Sequence, residues 1–506
     1  MNILSKETVT MMGYQPPAQE NLFSMNVSLE NRVRQNHVLR SMRKVIDFDF
    51  IYKEVEDKYG TNGNVSVPPV VILKLMLLLV FYNVRSEREL METLPERLDW
   101  LWFLGYTLDS PIPDHSVLSK ARKRWGQEVF KSFFERIVVQ CVHAGLVDGT
   151  KIFMDGSLID ADASNSSVID TTSLKRHLHA GYKELEKRLD DKESPLKDTT
   201  HAVNTRYVST TDPDASIVRH GRAKPKLRYK THRAVDSLHE IVTAVEVTPG
   251  AVDEGSKMAS LIENHEATTN AAVDTVVADS QYGTKGNLLI CYDKKIRAHM
   301  PVIKVLKEND EKDIFPEEKF SYDPATDTCS CPAGKILKKR TFHENKQNTE
   351  YAASRKDCAS CSLRAQCTKA KGPRMVQRHI RKNELDHMLA IASSYQAKLD
   401  LKTRKHLMER SFAHSTRYRF DRAKWRGLWK VSIQEYLVST ILNIRTLIRY
   451  GRRPTKGVLF CTGPFMQKSL TALTVLSVYL SMNTICDSLL NPNCALTRAQ
   501  GIGTWG

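Results

Sequence analysis

The chain has 506 residues, 41% of them hydrophobic, enough for two to four domains that each bury a core. Its 75 Lys and Arg against 58 Asp and Glu give a formal charge of +17 and a pI near 9.3, which points to a polyanionic partner, nucleic acid first. The opening Met1 to Thr8 has neither an apolar core nor a cleavage site, so no secretory signal is expected and the chain is expected in the cytoplasm.

Residues 1–35 are polar and read as a loose segment, and 36–148 as a helical domain. Val38, Leu39, Met42, Val45 and Ile46 recur at helical spacing, and a second helix is expected to reach Tyr59. Pro68 and Pro69 open an apolar run to Tyr82, with Pro in the first turn where its missing donor costs least. Lys74 inside the run and charges from Arg85 onward make it too short to cross a bilayer, so it is expected as a core helix. Ser86 to Leu104 reads as a further helix. After Pro113, Asp114 or Ser116 can cap a helix carrying Lys120, Arg122, Lys123 and Arg124, either a contact for DNA phosphates or a solvated face.

Residues 149–300 alternate strands with helices. Lys151 to Ser157 reads as a short apolar strand that ends in Asp155 and then Gly156, and Val273 to Ala278 as a buried strand followed by Asp279. An acid there is either a helix cap or a ligand at the strand lip, with Gly283 permitting a tight turn into the next helix. Two such acids would repel each other without a cation between them, and hard oxygen ligands suit magnesium or manganese. Between them lie a charged helical stretch, about Ser173 to Glu193, and a loop, Ser209 to Ala215. Arg219 to Arg233 holds seven Lys or Arg and no acid, leading into a hairpin of strands near Leu227 to Asp236 and Glu240 to Val247. Arg222, Lys224, Lys226, Arg228 and Lys230 would thus bring positive charge beside the acids, where phosphates are held.

Five of the ten cysteines fall between 329 and 367, inside a polar excursion at 301–380. In a reducing compartment that clustering argues for metal rather than disulfides, with Cys331, Cys358, Cys361 and Cys367 the preferred zinc set. Their intervals fit no standard finger, so reduced structural thiols are the alternative. Residues 381–453 return to helix. From Lys402 to Lys430 there are ten Lys or Arg and two acids, Glu409 and Asp421, with five aromatic residues interleaved, a composition suited to a nucleic-acid groove. Glu409 is the expected third carboxylate, the alternative being ion pairs along its own helix. Ile433 to Leu447 reads as a core helix. Residues 454–506 form a tail with no assigned role.

Several motifs in this order resemble a DDE transposase of a bacterial insertion sequence, from the branch with an N-terminal helical domain and a cysteine-bearing insert before the last acid. They are Asn36-His37-x-Leu39-Arg40, Pro113-Asp114-His115-Ser116, Met154-Asp155-Gly156-Ser157, Thr211 to Ala215, Tyr229-Lys230, Ala278-Asp279-Ser280-x-Tyr282-Gly283, Cys331-Pro332-x-Gly334 and Glu409-Arg410-x-Phe412-Ala413. The resemblance spans about residues 35 to 450. It implies an α/β fold: a ribonuclease-H-like catalytic core with an N-terminal all-α domain and a small cysteine-rich insertion.

By the same likeness Asp155, Asp279 and Glu409 are the three acids that bind two divalent metals, Mg2+ or Mn2+, for cleavage of element ends and their transfer into target DNA. The implied partners are the element's terminal repeats, target DNA and a second copy of the chain in the synaptic complex. Arg410, Arg417 and Arg419 are added to the expected DNA contacts. The family usually has Lys seven residues after the Glu, where this chain has Thr416 with Arg417 beside it, and often Pro where it has Ser362. The remaining readings are a metal-dependent nuclease without strand transfer and a non-catalytic DNA-binding derivative.

Overall fold

A computed structural model describes residues 28–60, 65–170, 206–219, 221–302 and 314–451, together with 12, 13 and 204. The expected helix at 173–193 and the tail at 454–506 lie outside the described residues. Within them the chain is mixed α/β with a helical N-terminal region.

That region comprises α1 (Leu29–Arg32), α2 (Val38–Val45), α3 (Phe50–Val55), α4 (Pro69–Phe81), α5 (Glu87–Thr93), α6 (Leu98–Leu104) and α7 (Ser116–His143). Helix α4 starts at Pro69 as its Pro pair predicts and is buried almost throughout, Lys74 included. The Lys74 ammonium lies 5.3 Å from the Phe48 ring and 5.6 Å from Phe103, and burial lowers its pKa to about 8. Among the described residues no helix is long and apolar enough to cross a membrane. The single helix expected over Ser86 to Leu104 is broken: α5 ends at Thr93 and α6 begins at Leu98, with Pro95 in the short turn between. Helix α7 is kinked at Gly126, whose φ of +73° and ψ of −176° interrupt the helical path.

The main sheet contains β1 (Lys151–Asp160), β4 (Ser216–Val218), β5 (Lys226–Asp236), β6 (Val242–Pro249), β7 (Thr275–Val277) and β8 (Arg297–His299). Its order is β4-β5-β1-β7-β8, with β6 pairing on β5. The pairs β1·β5 and β5·β6 are antiparallel, whereas β1·β7 and β7·β8 are parallel. A small two-stranded ladder joins β2 (Val168–Asp170) and β3 (Tyr207–Ser209). Strand β1 does not stop at Asp155 as the sequence suggested. It runs five residues further, because β5 keeps pairing with it from Gly156 opposite His232 to Asp160 opposite Arg228.

Helices cover both faces. Alternation along β1 sends Ile152 and Met154 into one core, beneath α8 (Met258–Thr269), α9 (Lys285–Asp293) and α12 (Lys382–Ala392). Phe153 and Ile159 enter the other, shared with α4, α7, α13 (Tyr395–Thr416) and α14 (Leu428–Tyr450). Ile433, Leu437, Ile441, Ile444 and Leu447 of α14 are buried there, as their spacing predicts. The long helix expected from Glu384 is two, because Ser394 caps α13 by accepting from the Ala397 N–H at 3.2 Å. Between β8 and α12 stands a separate five-stranded antiparallel sheet, β9 (Ser321–Asp323), β10 (Thr328–Ser330), β11 (Ile336–His343), β12 (Asn348–Ala352) and β13 (Met375–His379), in the order β13-β12-β11-β10-β9. Helices α10 (Arg355–Ala359) and α11 (Arg364–Cys367) lie within this segment.

Candidate active site

Sheet register brings the two strand acids level. Parallel pairing sets Phe153 opposite Val277, the last pair before β7 ends. Two residues on along each strand stand Asp155, which Arg404 of α13 meets, and Asp279. Asp279 leaves the sheet in a turn that it caps itself, its Oδ1 accepting from the Gln281 N–H at 2.9 Å.

A third carboxylate joins them from a segment the sequence reading passed over. Asp155, Glu254 and Asp279 each offer a ligand oxygen, all within 4.8 Å of one another. Glu254 opens a short 3-10 turn, Glu254–Lys257, ahead of α8. Two glycines admit it. A Cβ at Gly156 would stand 2.7 Å from the Glu254 carboxyl carbon, and one at Gly255 would stand 2.8 Å from the Gln281 carbonyl oxygen. The Asn287 side chain ties the two loops by donating to the carbonyls of Gly255 at 2.8 Å and Tyr282 at 2.9 Å. The signal available in sequence was Asp155-Gly156, read as the end of a strand, where Gly156 serves as a gap for another side chain. Gly283 likewise provides close approach, since a Cβ there would meet the Pro301 carbonyl oxygen at 2.1 Å.

Electrostatics mark the cluster. Burial drives the Asp155 carboxyl up to about 6, with Arg404 opposing and Asp279 and Glu254 adding to the rise. Burial also raises Glu254, against the pull of Lys230. Arg404 of α13 reaches Asp155 at 2.8 Å, and Lys230 of β5 reaches Glu254 at 3.2 Å. Tyr282, fully buried, has a hydroxyl with no hydrogen-bond partner among the described residues, and the same three acids act on it. Crowded carboxylates beside an orphaned hydroxyl are a donor set that a hard divalent cation and its waters would satisfy.

Glu409 does not enter this cluster. It lies exposed on α13, five positions after Arg404 and so about 140° around the helix from the residue that faces Asp155. Glu435 is buried against Arg233 at 2.5 Å, and Glu384 pairs with Arg381 at 2.8 Å.

The expected DNA-contact residues divide. Lys120, Lys123, Arg124, Arg222, Lys224, Arg417 and Arg419 are exposed. Arg410 is exposed but paired with Glu240, its Nε donating at 3.0 Å. Arg122 is inward, paired with Glu87 and lying 4.1 Å over the Trp425 ring. Lys226, exposed like Arg410, and the buried Arg228 both bond Asp160 at 2.7 Å. These three tie elements together, because acids distant in sequence fold in beneath them. The loop Thr211 to Ala215 also ties elements together: Asp212 accepts from the Tyr229 hydroxyl at 2.6 Å and the Gly427 N–H at 3.1 Å, and Asp214 from the Leu428 N–H at 2.9 Å, fixing the start of α14. Cys331, Cys358, Cys361 and Cys367 line one small cavity, while Cys329 is buried in the sheet beneath it.

Two family models match the chain. One, described as Transposase domain (DUF772), covers residues 27–124, and the other, Transposase DDE domain, covers 330–448. No curated protein matches it.

Proposed function

The chain belongs to the DDE transposases, and from that premise we propose that it binds the ends of an insertion sequence, cleaves them and transfers their 3′ ends into target DNA by metal-dependent phosphoryl transfer. The observation that carries the reading is the convergence of Asp155, Glu254 and Asp279 beside two half-buried cations, Arg404 and Lys230. A ribonuclease-H-like core is supported by the sheet order β6-β5-β1-β7-β8, three strands antiparallel and the last two parallel to β1.

Magnesium or manganese bound to these acids would activate a water or 3′-hydroxyl and stabilise the leaving oxygen. The chain's own groups prepare that site. Asp155 and Asp279 are held level by the sheet, Asn287 holds the Glu254 loop, and Arg404 and Lys230 moderate the repulsion among the acids until a phosphate arrives. Exposed Lys120, Lys123, Arg124, Arg222 and Lys224 are proposed to hold the DNA backbone. A second chain is proposed for the synaptic complex, since two ends must be joined.

Glu409 stays in play as the third acid on one observation: the span matched to the transposase DDE domain, 330–448, contains Glu409 but none of the three clustered acids. The reading is tested by Asp155→Asn and Asp279→Asn on element-end DNA. Each is expected to lower magnesium-dependent cleavage by about a thousandfold while leaving a mobility shift of the same DNA intact. Cleavage near the parental rate would remove both residues from the metal site.

A further inference from the structure

We propose that Cys331, Cys358, Cys361 and Cys367 bind one structural zinc ion that closes the five-stranded insert, independently of the carboxylate site. Three segments bring the thiols together. Cys331 follows β10 in a tight turn where the Gly334 N–H donates to its carbonyl at 2.8 Å, with Gly334 at φ +73°. The Lys335 N–H points at the Cys331 sulfur at 3.3 Å, the backbone donor that a thiolate ligand needs to offset its charge. Cys358 lies in α10, Cys361 in the turn after it, and Cys367 ends α11. Arg364 straps these turns, donating to the carbonyls of Cys358 at 3.0 Å, Ala370 at 3.2 Å and Lys371 at 3.0 Å.

All four cysteines face one cavity of about 30 Å3, walled otherwise by side chains such as Phe320 and Leu337. That space suits a single ion rather than an iron–sulfur cluster. Asp357 also lines the cavity, but its carboxylate accepts from the Ser354 hydroxyl at 2.7 Å, and four converging sulfurs select a soft cation with tetrahedral preference, which is zinc. Cys329, by contrast, is 2% exposed and packs among Leu337, Tyr351 and Val376, so it serves the core and not the cavity. The need for a crosslink is physical. The buried apolar cluster of this sheet is Phe320, Cys329, Leu337, Tyr351, Ala353 and Val376, with Ala352 buried beside it, a core too small to hold five strands and two one-turn helices unaided. The carboxylate trio already stands within 4.8 Å, whereas the sulfurs line a wall, so the ion is expected to draw them inward.

The test uses the full chain purified in reductant without added metal. Elemental analysis is expected to find about one zinc per chain, unchanged in Asp155→Asn and lost in the double variant Cys358→Ser, Cys361→Ser. Stripping the parental protein with a chelator is expected to expose four further thiols to a thiol reagent and to lower Tm, with both effects reversed by zinc. This arm decides the matter even where the double variant fails to fold. Iron in place of zinc, a Cys358–Cys361 disulfide in the purified chain, or a metal-free chain that takes up no zinc would each overturn the proposal.

Discussion

Strand β5 sets Arg233 directly opposite Asp155 of β1, and the two residues belong to buried charge clusters of opposite kinds. Around Arg233 the charges cancel. Its guanidinium meets Glu435 at 2.5 Å and Ser415 at 2.8 Å, lies 4.8 Å from the Phe412 ring and 4.6 Å from Phe420, and the ion pair is 0% and 1% exposed. Around Asp155 they do not. Three carboxylates meet two cations, Arg404 and Lys230, and the Asp155 side chain remains 23% exposed. A closed pair stabilises one arrangement of helix on sheet, whereas an open cluster with excess negative charge stores repulsion that a cation relieves. Burial of charge therefore does not by itself mark a site. The residual charge and the access do.

The largest effect that would break this comparison concerns which acid completes the open cluster. Glu254→Gln is expected to reduce magnesium-dependent cleavage by about a hundredfold or more, because it removes one of three converging ligands. Glu409→Gln is expected to change it by less than about threefold, since that side chain faces solvent on α13. A dead Glu409→Gln beside an active Glu254→Gln would restore the assignment made from sequence and require α13 to turn when DNA binds.

Next comes the closed pair. Glu435→Gln leaves Arg233 buried without its counter-charge and is expected to cost about 3–5 kcal/mol, read as a drop in the urea midpoint at constant m. Pairing it with Arg233→Met should recover most of that loss. Equal stability of Glu435→Gln and the parent would mean that the pair is not closed in solution.

The contrast also explains what the sequence disclosed. The continuous apolar run of α4 and the helical spacing of α14 were legible because burial writes itself into composition and spacing. Asp155 and Asp279 were legible because each follows a short apolar run. Glu254 was not, since its role depends on the missing side chain of Gly156, nearly a hundred positions earlier. Nor were Arg122, Lys226 and Arg228 separable from free surface cations. Their partners Glu87 and Asp160 meet them only in three dimensions. The extension of β1 past Asp155 was hidden for the same reason, being imposed by β5 and not by local apolarity.

A smaller effect sharpens the account of the open cluster. Burial holds the Asp155 carboxyl near 6, above its ordinary value, so this group keeps its proton to higher pH in the folded chain than in the unfolded one. With the folded pKa raised, ionising Asp155 costs stability as pH rises through about 6, and a bound divalent cation returns that cost. The magnesium-induced rise in Tm is therefore expected to be small below pH 6 and to grow above it. Arg404→Gln, which frees Asp155 from its cation, is expected to tighten DNA-free magnesium binding by about three- to tenfold in calorimetry. A metal shift independent of pH would mean that Asp155 does not ionise on binding the cation, and weaker binding in Arg404→Gln would show that Arg404 supports the metal site and does not compete for it.

The smallest expected effect separates two neighbours on α7. Lys123 is exposed, whereas Arg122 is 4% exposed, paired with Glu87 and stacked over Trp425. If the exposed face lies along DNA phosphates, Lys123→Ala removes about one counterion-releasing contact. Log affinity for element-end DNA should then fall less steeply with log salt, by about one in slope, with no change in Tm. Arg122→Ala should do the reverse. It strands Glu87 and uncovers Trp425, lowering stability, while the salt slope stays parental because that guanidinium never reached a phosphate. A parental slope in Lys123→Ala would make this face of α7 a solvated one and shift the DNA contacts to Arg222 and Lys224. A reduced slope in Arg122→Ala at unchanged stability would mean that the Glu87 pair opens to meet DNA, and the two neighbours would then belong to one surface.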